Sequence, residues 1–360
     1  MTGKQAFYNL VDEGREGHNI GLSVGLKKLD WFIDGWLPGT TYLLGGGSGT
    51  GKSTAALYLF VYQPLIHFMK GENTERDPYW FLFSLEMTQP QIYAKLVSMY
   101  IYDNFGIELR FKQIFSRGKD CMLTDEEYEI IKKCDSFLDI LDERLMFYEG
   151  TLTEAIYLRE INKVLKKFGK WSEGGTKYTP NNPQQILGIL VDHFTLVKAS
   201  NGRSKKEEID AISRDSVTLR NVTGIISNVH IAQFNRSSGS DERLKQGMQD
   251  PSPNDFKDSG SLYEDSQIAL AVHSPHKFKL TTYRKYNIKE LEQIFIGLFL
   301  LKSRFGTSDI MIPVGFYGDC SHYVELPRPD QIADYEKYKT INWIKEDKVE
   351  NNKTNFNFTL

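Results

Sequence analysis

The sequence predicts an α/β fold with a mainly parallel central sheet flanked by helices. Three observations carry that prediction. Short apolar runs, too brief for helices, alternate with longer segments of helical periodicity. Several of these runs, "QILGILVD" at 185–192 most clearly, are apolar throughout instead of alternating, as strands covered on both faces are. A glycine-rich turn, "GGSGTGKS" at 46–53, follows one such strand and opens a helix.

The elements follow in order. Residues 2–17 are polar, with Ala6, Phe7, Leu10 and Val11 in a narrow apolar stripe at helical spacing. Gly and Pro mark turns in "HNIGLSVGLKKLDWFIDGWLPGTTYLLGG" before a strand at 40–44, and a helix runs from Gly51 to about His67. A strand covers 79–85 and a helix 89–102. "TDEEYEIIKKCDSFLDIL" reads as one helix, capped by a Thr124–Glu127 capping box; a short strand follows at 145–148. "TLTE" at 151–154 reads as a second capping box, opening a helix with Leu158, Ile161, Leu165 and Phe168 on one face. "WSEGGTKYTPNNP" (171–183) reads as a polar loop. Beyond the strand at 185–192, a helix is expected from Ile209 to about Asn228, then a strand "HIAQ" and a polar loop from Asn235 to about Asp258. "QIALAV", "IFIGLFLL" and "IMIPVGF" are three further strands. No linker composition divides the chain, so 21–327 is expected as one domain. An arm precedes it at 1–20, and a polar, Asn-rich, loosely attached tail follows at 328–360.

Bulk composition narrows the function. The 360 residues are 40% hydrophobic and 25% charged, the balance of a globular protein. A net charge of −3 supplies no global basic field, so any nucleic-acid site must be local. Cys121, Cys134 and Cys320 are too few and too scattered for a disulfide framework or a zinc site. No run is long enough for a transmembrane helix and no signal-peptide core is present, so a cytoplasmic setting without a membrane partner is expected.

The glycine-rich turn carries the chemistry. Gly46, Gly47, Ser48, Gly49, Thr50, Gly51, Lys52 and Ser53, with Thr54 after them, fit the phosphate-binding pattern G-x-x-x-x-G-K-[ST]. Glycines let backbone N–H groups wrap phosphate oxygens, and the helix N-terminus adds positive potential. Lys52 would reach the β- and γ-phosphates, and the Ser53 hydroxyl would ligate Mg²⁺. Asp192, ending a buried strand, would be the second Mg²⁺ anchor. Glu86 ends the strand in "FLFSLEM"; a carboxylate there can orient an attacking water and take its proton.

The segments "GLSVGLKKLDWFIDGWLPGTTYLLGGGSGTGKST", "FLFSLEM", "ILVDHFTLV", "IAQFNR", "DFKDSGSLYEDSQIAL" and "LLKSRFG" occur in that order. In order and spacing they resemble the ATPase domain of DnaB-type replicative helicases. The resemblance covers about Gly21 to Phe316 and implies a RecA-like P-loop core forming a homo-oligomeric ring, usually a hexamer, with ATP and Mg²⁺ between subunits. It implies that Gln233 senses the γ-phosphate, and that Lys302 and Arg304 reach the neighbouring subunit's ATP. It also implies single-stranded DNA contacts from "KASNGRSKKEE" (198–208) and "NRSSGSDERLKQGMQDPSPNDFKDSGS" (235–261), with Arg203, Lys205, Lys206, Arg236, Arg243 and Lys245 as candidates. Family members also carry an N-terminal helical domain that meets primase. This chain starts almost at the ATPase domain, so a primase or a loader stays an open partner. His193 stands where the family usually has Tyr and is read as a packing change.

The expectation is a ring-forming, ATP-dependent helicase translocating on single-stranded DNA, of phage, plasmid or mobile-element type, with 5′ to 3′ polarity implied by resemblance alone. Two alternatives stay open: a RadA- or KaiC-like ATPase that does not unwind processively, and an interaction module locked by ATP. Strand displacement on a forked duplex separates the first two readings, and DNA-stimulated ATP turnover separates both from the third.

Overall fold

The computed structural model describes residues 2–17, 19–71, 75–235 and 250–344, without the side chains of residues 6 and 257–259. In chain order the strands are β1 (Thr41–Gly46), β2 (Asp77–Ser84), β3 (Leu145–Tyr148), β4 (Gly169–Trp171), β5 (Tyr178–Pro180), β6 (Gln185–Asp192), β7 (Ile226–Gln233), β8 (Ile268–His273), β9 (Thr282–Tyr283), β10 (Tyr286–Asn287), β11 (Phe295–Ser303), β12 (Ile310–Tyr317) and β13 (His322–Glu325). Among the described residues, nine of them form one sheet in the order β13-β12-β11-β8-β1-β7-β6-β2-β3. Every neighbouring pair from β8 to β3 is parallel. β11, β12 and β13 extend the β8 edge antiparallel.

The helices up to Thr223 are α1 (Gly3–Arg15), α2 (Lys27–Ile33), α3 (Lys52–Leu57), α4 (Gln63–Met69), α5 (Gln89–Phe105), α6 (Phe111–Ile114), α7 (Asp125–Lys132), α8 (Asp135–Arg144), α9 (Glu154–Phe168) and α10 (Lys205–Thr223), with further short helices, Gly260–Asp265 and Ile288–Leu291 among them, after it. A π-helical turn, Tyr58–Tyr62, joins α3 to α4. Successive strand residues point to opposite faces, so β1 sends Tyr42 and Leu44 into one core and Leu43 into the other. The first core packs under α3, α4, α5 and α8, and the second under α9 and α10. In the first core Trp36 and Trp80 stack with ring centroids 5.2 Å apart and planes 8° from parallel. The Trp80 indole donates to the Phe60 carbonyl inside the π-helical turn at 2.7 Å.

Several expectations need correction. The helix read at 124–141 is two helices. The Thr124–Glu127 box does cap α7, but α7 buries no residue, and the break at Cys134 re-aims α8 so that Phe137 and Leu141 reach the core. "TLTE" is not a capping box: Thr153 caps α9, and the Glu154 N–H donates instead to the distant Glu208 carboxylate at 2.6 Å. The loop at 171–183 contains β5, paired with β4 in a small hairpin, and Tyr178 Oη donates to the Leu165 carbonyl at 2.8 Å. α10 starts at Lys205 and stops at Gly224, and β7 already includes Ser227 and Asn228. Nor are residues 328–344 loosely attached: Ile332, Tyr338, Ile341 and Trp343 are buried, and Trp343 Nε1 donates to Tyr317 Oη at 2.7 Å. The N-terminal stripe does form a helix, α1, but Phe7, Leu10 and Val11 are exposed. No helix among the described residues is long and apolar enough to cross a membrane.

Candidate nucleotide site

The parallel strands bring their carboxyl ends to one edge of the sheet, where open α/β folds bind ligands. β1 ends there in Gly46 and the glycine-rich loop follows. Gly49 and Gly51 take φ of 65° and 89°, which a side chain would strain. Both are also crowded. A Cβ on Gly49 would lie 2.6 Å from Lys277 Nζ, and one on Gly51 would lie 2.8 Å from Tyr323 Oη. Lys52 opens α3 and is almost fully buried; its ammonium donates back to the Gly47 carbonyl at 2.8 Å. Ser53 Oγ donates to Asp192 Oδ1 at 3.0 Å, so the loop and the end of β6 are tied together.

Burial works against charge on both sides of this cluster. It lowers the Lys52 pKa, with Asp192 and Glu86 opposing the fall. It pushes the Asp192 carboxyl up to about 6, with the Ser53 hydrogen bond opposing the rise and Glu86 adding to it. A bound anion beside Lys52 and a cation beside Asp192 would favour the charged form of each. The metal's donor set fits Mg²⁺. Ser53 and Asp192 supply hard oxygens, and no group of three or more His, Cys, Asp or Glu residues among the described residues could form a cage. Mg²⁺ characteristically takes one or two protein oxygens and completes its shell with water and phosphate. When bound it would polarise the phosphates.

Glu86 lies two residues past β2, whose last residue, Ser84, pairs with Asp192. The Leu85 N–H donates to the Asp192 carbonyl at 2.9 Å, and Ser84 Oγ donates to the Met87 carbonyl, fixing the turn that presents Glu86. The carboxylate is exposed and lines a cleft of about 470 Å³ with Glu149, Leu196 and Lys198. Gln233 ends β7 opposite Gly46, beside the loop. Lys52, Ser53, Glu86, Asp192 and Gln233 therefore gather at one edge. His193 is buried next to them, its Nδ1 accepting from the Thr195 N–H at 3.3 Å.

Lys302 and Arg304 do not join them. β11 runs antiparallel to β8, so Ser303 pairs with Ile268 at the strands' other end, while Gly46 pairs with Val272. Five residues of strand, on the order of 15 Å, separate these ends. There Lys302 donates to the Tyr263 and Glu264 carbonyls at 2.7 and 2.9 Å, and Arg304 to the Glu264 carbonyl at 3.3 Å.

The first candidate DNA loop leaves the carboxyl end of β6, on the P-loop edge. Arg203 pairs with Glu154 at 2.7 Å and Lys205 donates to the Thr195 carbonyl, whereas Lys206 and Lys198 are exposed. The fully buried Glu208 anchors the loop. It accepts from Ser200 Oγ at 2.6 Å and from the Glu154 N–H, and these bonds outweigh burial to leave its pKa below the usual range. Arg236, Arg243 and Lys245 lie outside the described residues.

Three residues escaped the sequence reading. Lys95 on α5 donates to Thr54 Oγ1 at 2.9 Å, and burial lowers its pKa with Asp192 opposing; a lone lysine within "AKLVSM" was its only signal. Tyr323 Oη donates to the Gly51 carbonyl at 3.1 Å, and Lys277 Nζ to the Ser48 carbonyl at 3.0 Å. Next to the loop lies a cavity of about 450 Å³ with an apolar wall of Ile294, Ile296 and Phe316, and Lys277 is at its rim. It has room for a flat ring beside the glycine-rich loop.

The family model described as the DnaB-like helicase C terminal domain matches residues 21–325. Among solved structures, one described as an ATPase domain superposes with a TM-score of 0.67 at 15% identity, covering 91% of this chain and 99% of that one. A structure described as that of a DnaB-like replicative helicase and its interactions with primase superposes with a TM-score of 0.64 at 16% identity, covering 91% and 67%. At such identities these two show the shared RecA-like fold. No curated protein matches the chain.

Proposed function

The chain belongs to the DnaB-like helicase C-terminal domain family, and from that premise we propose that it is an ATP-dependent DNA helicase working as a ring on single-stranded DNA. One observation carries the ring. The groups that would bind and attack ATP lie at the carboxyl edge of the parallel strands, while Lys302 and Arg304 lie at the opposite edge. If both sets serve one ATP, they come from two copies packed head to tail, an interface that closes into a ring or runs on as a filament.

Within one interface Lys52 would hold the β- and γ-phosphates, with Mg²⁺ anchored by Ser53 and Asp192. Glu86 would take the proton of the attacking water. Arg304 would bridge γ-phosphate oxygens, with Lys302 beside it. Gln233, pairing with Gly46 at the end of β7, would pass the phosphate's state to the loop beginning at Asn235. Lys198 and Lys206 would meet the DNA backbone. Lys198 lines the cleft of Glu86, so movement at the ATP and at the strand would share one wall. α1, with Phe7, Leu10 and Val11 exposed, would pack on the neighbouring subunit. A cytoplasmic setting accords with this role.

The test is native mass with and without ATP and single-stranded DNA, followed by strand displacement on a forked duplex. A six-membered ring and ATP-dependent displacement are expected. Removing residues 1–17 should leave a folded, nucleotide-binding monomer. A monomer under every condition, or turnover indifferent to DNA, would remove the helicase reading.

A further inference from the structure

Lys277 sits just past β8, in the short helix Pro275–Phe278. β8 and β7 pair with β1 on its two sides. Glu86 and Asp192 come from strands beyond β7, so Lys277 meets the P-loop from the opposite flank. Its ammonium rests on the crest of the loop, 3.0 Å from the Ser48 carbonyl, over a Gly49 that has no room for a side chain. Its partner there is a neutral carbonyl, and its charge opposes that of Lys52 across the loop. The cavity with the Ile294, Ile296 and Phe316 wall opens beside it.

We propose that Lys277 is a second cation of the nucleotide site, holding the α- and β-phosphates from the side away from Glu86. This rests on the reading that the P-loop binds ATP. The γ-phosphate must face Glu86 and Asp192 to be attacked, and the cavity, with its wall of Ile294, Ile296 and Phe316, has room for the base. The α- and β-phosphates then cross the loop between them, under Lys277. A lysine is a point charge on a flexible stem. A small swing exchanges the Ser48 carbonyl for an anionic oxygen, a stronger acceptor, and the anion screens Lys277 from Lys52.

The experiment measures ATP and ADP affinity by calorimetry with Mg²⁺ on the full chain, for the wild type, Lys277→Ala, Lys277→Arg and Lys52→Ala. Nucleotide-free melting temperatures are recorded alongside. Lys277→Ala should weaken ATP and ADP equally, by about tenfold or somewhat more. Its melting temperature should be unchanged, and Lys277→Arg should regain most of the affinity. Unchanged affinity, a loss confined to ATP, or a lowered nucleotide-free melting temperature would each overturn the assignment. A wild-type chain that binds neither nucleotide, or Lys52→Ala binding as well as wild type, would defeat the ATP reading itself and Lys277 with it.

Discussion

The two ends of the sheet use the same residue types in opposite ways. At the carboxyl edge of the parallel strands, Lys52, Ser53, Lys95 and Asp192 are held by short bonds within a mostly buried cluster. At the far edge, Lys302 and Arg304 hang on backbone carbonyls, with Arg304 and Phe305 exposed. One edge encloses its charged groups and the other presents charge outward. In the proposed ring the reaction therefore belongs to the junction of two copies.

The sharpest break of that contrast is at Arg304. Arg304→Ala should fold and bind ATP, yet lose hydrolysis by about 10³–10⁵, the range of arginines supplied in trans. Mixing it with Lys52→Ala should restore partial turnover, because some junctions then pair an intact loop with an intact arginine. No recovery despite proven subunit exchange would confine Arg304 to holding its own fold.

Glu86→Gln tests the enclosing edge. It should keep ATP affinity and lose about 10²–10⁴ in turnover, since shape stays and basicity goes. Binding as poor as that of Lys52→Ala would return Glu86 to a structural role.

Asp192→Asn tests whether enclosure costs stability. The Asp192 pKa is raised by burial to about 6. Its contribution to folding is therefore most favourable at low pH, where it is protonated in folded and unfolded chains alike, and is lost as pH rises from about 4 through 6. Without Mg²⁺, Asp192→Asn should stabilise the chain by about 1–3 kcal/mol at pH 8 and change little at pH 4. Denaturant titrations at both pH values, in chelator, read this directly. Equal stability of the two chains at pH 8 would mean the carboxylate is not strained.

The smallest effect sorts the first DNA loop. Lys206→Ala should weaken single-stranded DNA binding a few-fold and lower the salt slope by about 0.7. Arg203→Ala should leave the slope alone, because that guanidinium is already paired with Glu154. Equal slopes for the two variants would show that DNA breaks the Arg203 pair.

What the sequence revealed follows from what each feature depends on. β6 was legible because a strand covered on both faces must be apolar along its length, and all eight of its residues are buried. The start of β7 was not, because Asn228 is buried with its Nδ2 donating to Thr41 Oγ1 and to the Ser216 carbonyl, partners set by the fold. Residues 328–344 misled because Ile332, Tyr338, Ile341 and Trp343 are spread among charges without a period. In the site, the P-loop was legible because its working residues are contiguous. Lys277 was not, since only the sheet order carries the end of β8 to the flank of β1. Nothing in "KASNGRSKKEE" marks Glu208 as buried, and only the fold shows it fully enclosed as the loop's anchor.

The Trp36–Trp80 stack has an optical consequence. Two nearly parallel indoles 5.2 Å apart couple their electronic transitions, so the folded chain should carry a paired near-ultraviolet dichroism signal that separated rings lack. Trp80 belongs to β2, the strand that leads to Glu86, and its ring is held from below by the π-helical turn after α3. Trp31, by contrast, is 81% exposed and open to collisional quenchers. The protein thus carries a native spectroscopic gauge on the strand behind its proposed catalytic base, distinct from its surface fluorescence and needing no attached dye.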